Sequence, residues 1–100
     1  MKTHPKKLLV IITEAALEAQ LAADAERLGA HGYTVSDVRG AGARGARRGD
    51  WDADRTIRME VICDEAVATA IAGHLHETYF ADYAIALYVT DCAVLRPEKF

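Results

Sequence analysis

Apolar and polar positions follow several distinct rhythms along this chain, and each rhythm predicts an element. Lys7-Leu8-Leu9-Val10-Ile11-Ile12-Thr13 is an uninterrupted apolar run. Its length and β-branching predict a central strand buried on both faces. Thr13 is predicted to cap the following helix, with Glu14 favourably placed in its first turn. From Ala15 to Leu28 the spacing is helical: Leu17, Leu21, Ala25 and Leu28 share a face, and Glu18, Gln20, Asp24 and Arg27 lie off it. Gly29 is the natural residue to end that helix. Tyr33-Thr34-Val35-Ser36-Asp37-Val38-Arg39 reads as a second strand.

Thr56 to Cys63 alternates, with Ile57, Met59, Val61 and Cys63 on one side and Arg58 and Glu60 on the other. Asp64 is predicted to cap a second helix, Glu65 to about Thr78, whose inner face is Val67, Ala70, Ile71, His74 and Leu75. Ala84 to Val89 is a further strand, with Ile85, Leu87 and Val89 on one face and Ala84, Ala86 and Tyr88 on the other. Cys92-Ala93-Val94-Leu95 reads as a short fifth strand or edge, and Arg96 to Phe100 as a tail. The order β-α-β-β-α-β is that of the ferredoxin-like α+β sandwich, a four-stranded antiparallel sheet with two helices on one face, in one domain spanning 1–100. The helix-free face would expose the first strand's second apolar row together with Ala84, Ala86 and Tyr88. A patch of that kind needs a cover, and a second copy of the chain is the simplest one.

One stretch fits no rhythm. Arg39 to Arg55 holds Gly40, Gly42, Gly45 and Gly49, four of the chain's 7 glycines. It also holds Arg39, Arg44, Arg47 and Arg48, with no acid among residues 39–48. Asp50, Asp52 and Asp54 then bracket Trp51, the single tryptophan. Without apolar periodicity it is expected to be neither strand nor helix, and a segment this long inside a domain is usually functional or disordered. Glycines let backbone N–H groups converge on an anion, and arginine supplies a planar fork of donors for phosphate or carboxylate. The stretch reads as an anion-binding loop or, more plainly, as a solvated connector. Trp51, with Arg48 nearby, is the candidate for docking a partner or the loop's own folded form.

Composition narrows the classes. A net charge of −3 argues against non-specific nucleic-acid binding. Cys63 and Cys92 sit singly in apolar runs, as free thiols of a reducing compartment do. The run from Leu8 to Ile12 is too short for a signal-peptide core, and no stretch approaches the ~18 apolar residues of a membrane span. A cytoplasmic protein without membrane insertion is expected. His74 and His76 stand two apart on a helix, whereas metal-binding helical pairs are spaced by four, so no metal ligand set is assigned. No nucleophile–base pair marks a catalytic residue.

With these residues in place the chain resembles the PII and PII-like signalling proteins. Three motifs carry the resemblance: Gly32-Tyr33-Thr34-Val35 leading through Arg39 to Arg47, which is similar to that family's second strand entering its T-loop (about residues 40–55 here); Tyr79-Phe80-Ala81-Asp82-Tyr83-Ala84 before the last strand; and Leu9-Val10-Ile11-Ile12-Thr13-Glu14. Gly49 to Asp54 and the ending Leu95 to Phe100 resemble the carboxysome-associated PII-like subgroup. The resemblance implies a non-enzymatic homotrimer binding adenine nucleotide in clefts between subunits, with a ligand-dependent loop that signals inorganic-carbon or energy status to a target, a bicarbonate transporter being one candidate. It implies ADP or AMP, with ATP and cyclic AMP as further candidates, together with bicarbonate. Carried over by position, Gly40 and Gly42 match the loop-base glycines, Arg44 and Arg47 the arginines that reach the phosphates, and Thr34 and Ile62 the positions lining adenine. Arg96 matches an arginine from the neighbouring subunit, and Arg47 is also the candidate for bicarbonate.

The chain departs from the nitrogen-signalling members between Thr78 and Tyr83, which hold no glycine and no lysine. A tight triphosphate grip with Mg²⁺ is therefore not expected. The loop has no Tyr or Ser for modification. Two other classes share the fold: acylphosphatase-type enzymes, whose arginine-bearing loop is short and follows the first strand, and metal-linked trimers.

Overall fold

The computed structural model describes residues 1–42, 45–47 and 55–100. Its elements in order are β1 (His4–Glu14), a 3-10 turn (Ala15–Leu17), α1 (Glu18–Arg27), β2 (Thr34–Val38), β3 (Gly40–Gly42), β4 (Gly45–Arg47), β5 (Thr56–Cys63), α2 (Glu65–Thr78), β6 (Ala86–Val94) and a 3-10 turn (Pro97–Lys99). The main sheet has four strands in the order β2-β5-β1-β6, all antiparallel. This is the expected ferredoxin-like βαββαβ sandwich, with both helices on one face.

The long apolar run sits at the centre because it has partners on both edges. Lys7 to Glu14 pair with Cys63 to Thr56, and His4 to Ile12 pair with Val94 to Ala86. The second pairing corrects the reading of two C-terminal strands. The nine residues of β6 form one strand, because β1 offers it nine consecutive partners. The polar break at Thr90-Asp91 is tolerated at this edge, where Asp91 ion-pairs with Lys7.

The core lies between sheet and helices. Leu9, Ile11, Met59, Val61 and Cys63 from the strands meet Leu17, Leu21, Ala25, Ala68, Ile71 and Leu75, all buried. Gly29 ends the first helical segment with φ +115, a conformation that costs glycine little. A Cβ there would also stand 3.1 Å from a Val67 methyl.

Four expectations need correction. Thr13 is the penultimate residue of β1, wholly buried, and its Oγ1 has no hydrogen-bond partner among the described residues. Glu14 holds the cap position instead, without a side-chain cap bond. Asp64 does precede α2 with extended backbone, but its carboxylate accepts from Lys6 Nζ at 2.7 Å and makes no cap bond. On α2 the inner residue is Ala68, and Ala70 is exposed; Ala68 shares the face of Ile71 and Leu75 at spacings of three and seven. Finally, the glycine-rich stretch is not wholly without regular structure. Gly40, Ala41 and Gly42 pair with Arg47, Ala46 and Gly45 as a two-stranded ribbon. Backbone pairing needs no apolar stripe, which is why periodicity was blind to it.

Candidate functional site

The loop leaves the sheet at Val38 and returns at Thr56, and these two residues pair across the ladder. Register therefore places Arg39 and Arg55, one step beyond each, as opposing residues of the loop's stem. Arg55 Nη2 donates to Asp37 Oδ1 at 2.8 Å. The backbone N–H of Ala15 donates to the Arg55 carbonyl at 2.9 Å, which ties the returning chain to the end of β1. Arg39 is exposed and has no ion-pair partner among the described residues.

Two clefts flank this stem. One, of about 250 Å³, is lined by Asp37, Val38, Arg39, Arg55 and Thr56. Among the described residues its lining holds two arginines and one aspartate. The other, of about 260 Å³, is lined by Ile12, Val38, Arg39, Gly40, Ala41, Thr56 and Ala86. Ile12, Ala86, Val38 and Thr56 belong to the helix-free row of the sheet, so this cleft has a largely apolar floor with loop backbone at its rim. A Cβ added at Gly40 would meet nothing within 4 Å, so the backbone there is open to approach.

The sequence-predicted residues do not gather in one chain. Gly40 borders the second cleft and Gly42 follows it in β3. Thr34 pairs with Glu60, and Ile62 with Leu8; both belong to the helix-free face, but Thr34 lies ~13 Å along the strand from Val38. Arg96 follows Val94, which pairs with His4 at the far end of β1. The eight steps from His4 to Ile12 put that end ~26 Å from the loop base. Arg47 is placed as a residue of β4. Arg44, Arg48 and Trp51, with Asp50, Asp52 and Asp54, lie outside the described residues. Asp37, Arg39 and Arg55 were missed as a group, since only register shows that they meet. The signal available was that Arg39 and Arg55 immediately flank two predicted strands.

A second polar cluster lies between the helices. Tyr79 Oη donates to Asp24 Oδ2 at 2.5 Å, His74 Nε2 stands 3.1 Å from the same oxygen, and Arg27 Nη2 donates to Oδ1 at 3.5 Å. Burial alone would raise the Asp24 carboxyl, but the hydrogen bonds from Tyr79 and His74 outweigh it and hold the group below its ordinary value. Burial, followed by the bond to Asp24, pushes the Tyr79 phenol up to about 12. The Tyr79 ring also meets His74 and Tyr83 edge-on, at centroid distances of 5.9 and 6.0 Å. The cluster thus fixes the turn that leads into β6. Cys63 and Cys92 are both free; Cys63 is buried as expected, whereas Cys92 is partly exposed. No group of three or more metal-type ligands occurs among the described residues, and no helix among them is long and apolar enough to cross a membrane.

Comparison with known proteins gives a consistent picture. The family model for nitrogen regulatory protein P-II matches residues 6–99. A protein of Thermus thermophilus described as PII-like and signalling is 44% identical over 100% of this chain and 99% of its own, with a TM-score of 0.87. CPII of Thiomonas intermedia, a nitrogen regulatory PII-like protein solved bound to ADP, AMP and bicarbonate, is 27% identical over 99% of this chain and 96% of its own, with a TM-score of 0.90. The same protein bound to ADP and bicarbonate is 28% identical over 99% and 97%, with a TM-score of 0.89.

Proposed function

The chain belongs to the nitrogen regulatory protein P-II family, and from that premise we propose that it is a non-catalytic sensor of adenine nucleotide and bicarbonate, assembled as a homotrimer and acting in the cytoplasm. The observation that carries this reading is the cleft at the loop base, where the open backbone at Gly40 meets an apolar floor of Ile12 and Ala86. Such a cleft accepts a nucleoside, and glycine N–H groups with fixed positive charge suit its phosphates. Gly40, Gly42, Arg44 and Arg47 are assigned to that end of the nucleotide. Arg47 is also the sequence-based candidate for bicarbonate, and Arg48 and Trp51 for the docked target, of which a bicarbonate transporter is one.

Thr34, Ile62 and Arg96 stand too far from the loop base to reach the same ligand within one chain. A nucleotide touching all of them needs two copies, with one supplying the loop base and its neighbour the rest. The helix-free sheet face supports the same conclusion, because it leaves Leu8, Ile12 and Tyr88 open to a second copy. ADP and AMP are favoured over ATP. The segment before β6 has no glycine or lysine, and the Asp82 and Tyr83 N–H groups both donate to the Tyr79 carbonyl, so they are not available for a third phosphate.

Calorimetric titration with AMP, ADP, ATP and cyclic AMP, each with and without bicarbonate, tests this reading. The expected result is tighter ADP or AMP binding when bicarbonate is present and, by reciprocity, tighter bicarbonate binding with nucleotide. Absence of binding by every nucleotide would overturn it. Nucleotide binding indifferent to bicarbonate would leave the nucleotide sensor and remove its link to carbon.

A further inference from the structure

An unbroken line of bonds joins the polar cluster between the helices to the apolar cleft at the loop base. Asp24, on α1, accepts from Tyr79 Oη at 2.5 Å and stands 3.1 Å from His74 Nε2. Tyr79 is only 3% exposed, and its ring meets those of His74 and Tyr83 edge-on. The Tyr79 carbonyl accepts from the N–H groups of Asp82 and Tyr83, each at 3.0 Å, and the Tyr83 carbonyl accepts from the N–H of Ile85 at 3.1 Å. The next residue, Ala86, opens β6 and lines the cleft together with Gly40 and Ala41. A side chain on α1 thus holds, through one phenol, the turn that delivers β6 to the cleft.

We propose that Asp24 and Tyr79 are positioning residues that set nucleotide selectivity, by latching the turn from Tyr79 to Tyr83 in a closed form that admits AMP or ADP and excludes a third phosphate. The inference rests on the nucleotide reading of the cleft. A phosphate chain long enough to run past Ala86 meets this turn. Its oxygens need donors there, and the Asp82 and Tyr83 N–H groups are already engaged by the Tyr79 carbonyl. Freeing them means moving Tyr79, and moving Tyr79 breaks a hydrogen bond to a carboxylate, among the stronger kinds in a protein. The anchor is firm on both sides. Burial, then the bond to Asp24, pushes the phenol up to about 12, so it remains a donor at neutral pH. Asp24 is held in turn by His74 and by Arg27, whose Nη2 donates to Oδ1 at 3.5 Å.

The test is calorimetric titration of the full chain with AMP, ADP and ATP, in the wild type, Tyr79→Phe and Asp24→Asn, alongside hydrogen exchange of the Asp82 and Tyr83 amides. Tyr79→Phe keeps the ring and removes only the donor. It should tighten ATP relative to ADP by about tenfold, the equivalent of one hydrogen bond to a charged group, and leave AMP unchanged. Both amides should exchange faster. Asp24→Asn should move the same quantities in the same direction by less, since a neutral acceptor remains, and it keeps the test decisive even if Tyr79→Phe fails to fold. The double variant should shift the ATP-to-ADP ratio no further than Tyr79→Phe alone, because both changes act on one bond. A merely structural role would weaken all three nucleotides together and leave the ratio where it was. An unchanged ratio, or unchanged exchange of the two amides, would overturn the assignment. Absence of nucleotide binding by the wild type would remove the sensor reading and the selectivity with it. The exchange measurement needs no ligand, so it tells a failed latch from a failed sensor.

Discussion

On the helix side of the sheet, Leu9, Ile11, Met59 and Val61 are wholly buried by the chain's own α1 and α2. On the other side the same strands carry Leu8, Val10, Ile12, Arg58 and Glu60, and β6 adds Tyr88, which is 45% exposed. Of these residues Val10 alone is wholly buried. Arg58 reaches from β5 across β1 on this face, donating to Glu60 Oε1 at 3.0 Å and to Tyr88 Oη at 2.8 Å. The first face is a finished core. The second is left open by the chain itself, and in the trimer proposed above it is the face that a second copy covers, with an apolar row beside a hydrogen-bonded polar cluster. The core of the single chain lies on one face only.

The largest difference should appear in a pair of truncations. Leu75→Ala, inside the covered core, should cost about 2–5 kcal/mol of unfolding free energy, whereas Leu95→Ala, at a leucine 55% exposed, should stay within about 0.5 kcal/mol. Urea unfolding of both measures the contrast, and equal losses would remove it. Next comes Leu8→Asp on the helix-free face. It should leave the helical circular dichroism signal intact and convert the assembly to monomers by light scattering; a trimer that survives the charge would show that copies meet elsewhere.

Tyr79→Phe is expected to cost ~1–3 kcal/mol, since it withdraws a donor from the largely buried Asp24. The same carboxylate sets an acid dependence. Its folded pKa lies below the ordinary 3.8, so its contribution is whole above that value and fades as pH falls through the lower folded one. Asp24→Asn should therefore flatten the acid limb of a stability profile, and a limb of unchanged slope would assign the acid loss to other groups. The smallest effect belongs to Asp37→Ala. The pair it breaks is exposed and worth ~0–1 kcal/mol, so urea unfolding should move by no more than that, and a larger loss would show that the pair does more than close the loop's stem.

Most of the framework was legible in the residues. Leu8 to Ile12 could only be a central strand, Ile57 to Cys63 only a half-buried one, and Gly29 marked the end of the first helical segment. The misses share a cause. The continuity of β6, the ribbon at Gly40 to Arg47 and the extension of β1 past Thr13 to Glu14 all depend on backbone partners distant in sequence. Side-chain periodicity does not record such partners. The site was legible in type but not in arrangement. Glycines and arginines marked the stretch as a candidate anion loop, while the placing of Asp37, Arg39 and Arg55 along one cleft waited on the register of β2 against β5.

What the sequence by itself determined is whatever depends on near neighbours: which face of each helix and strand is apolar, where the chain turns, and where glycine and arginine concentrate. These follow from side-chain chemistry and the periods of 3.6 and 2 residues. What only the tertiary structure decided is which of those groups meet. Antiparallel pairing brought Arg55 to Asp37, left two clefts at the stem that share Val38, Arg39 and Thr56, and set Thr34 and Arg96 too far away for one chain to bridge. The physical reason is that register is fixed by the sum of many weak contacts across the sheet, a quantity that no single segment contains.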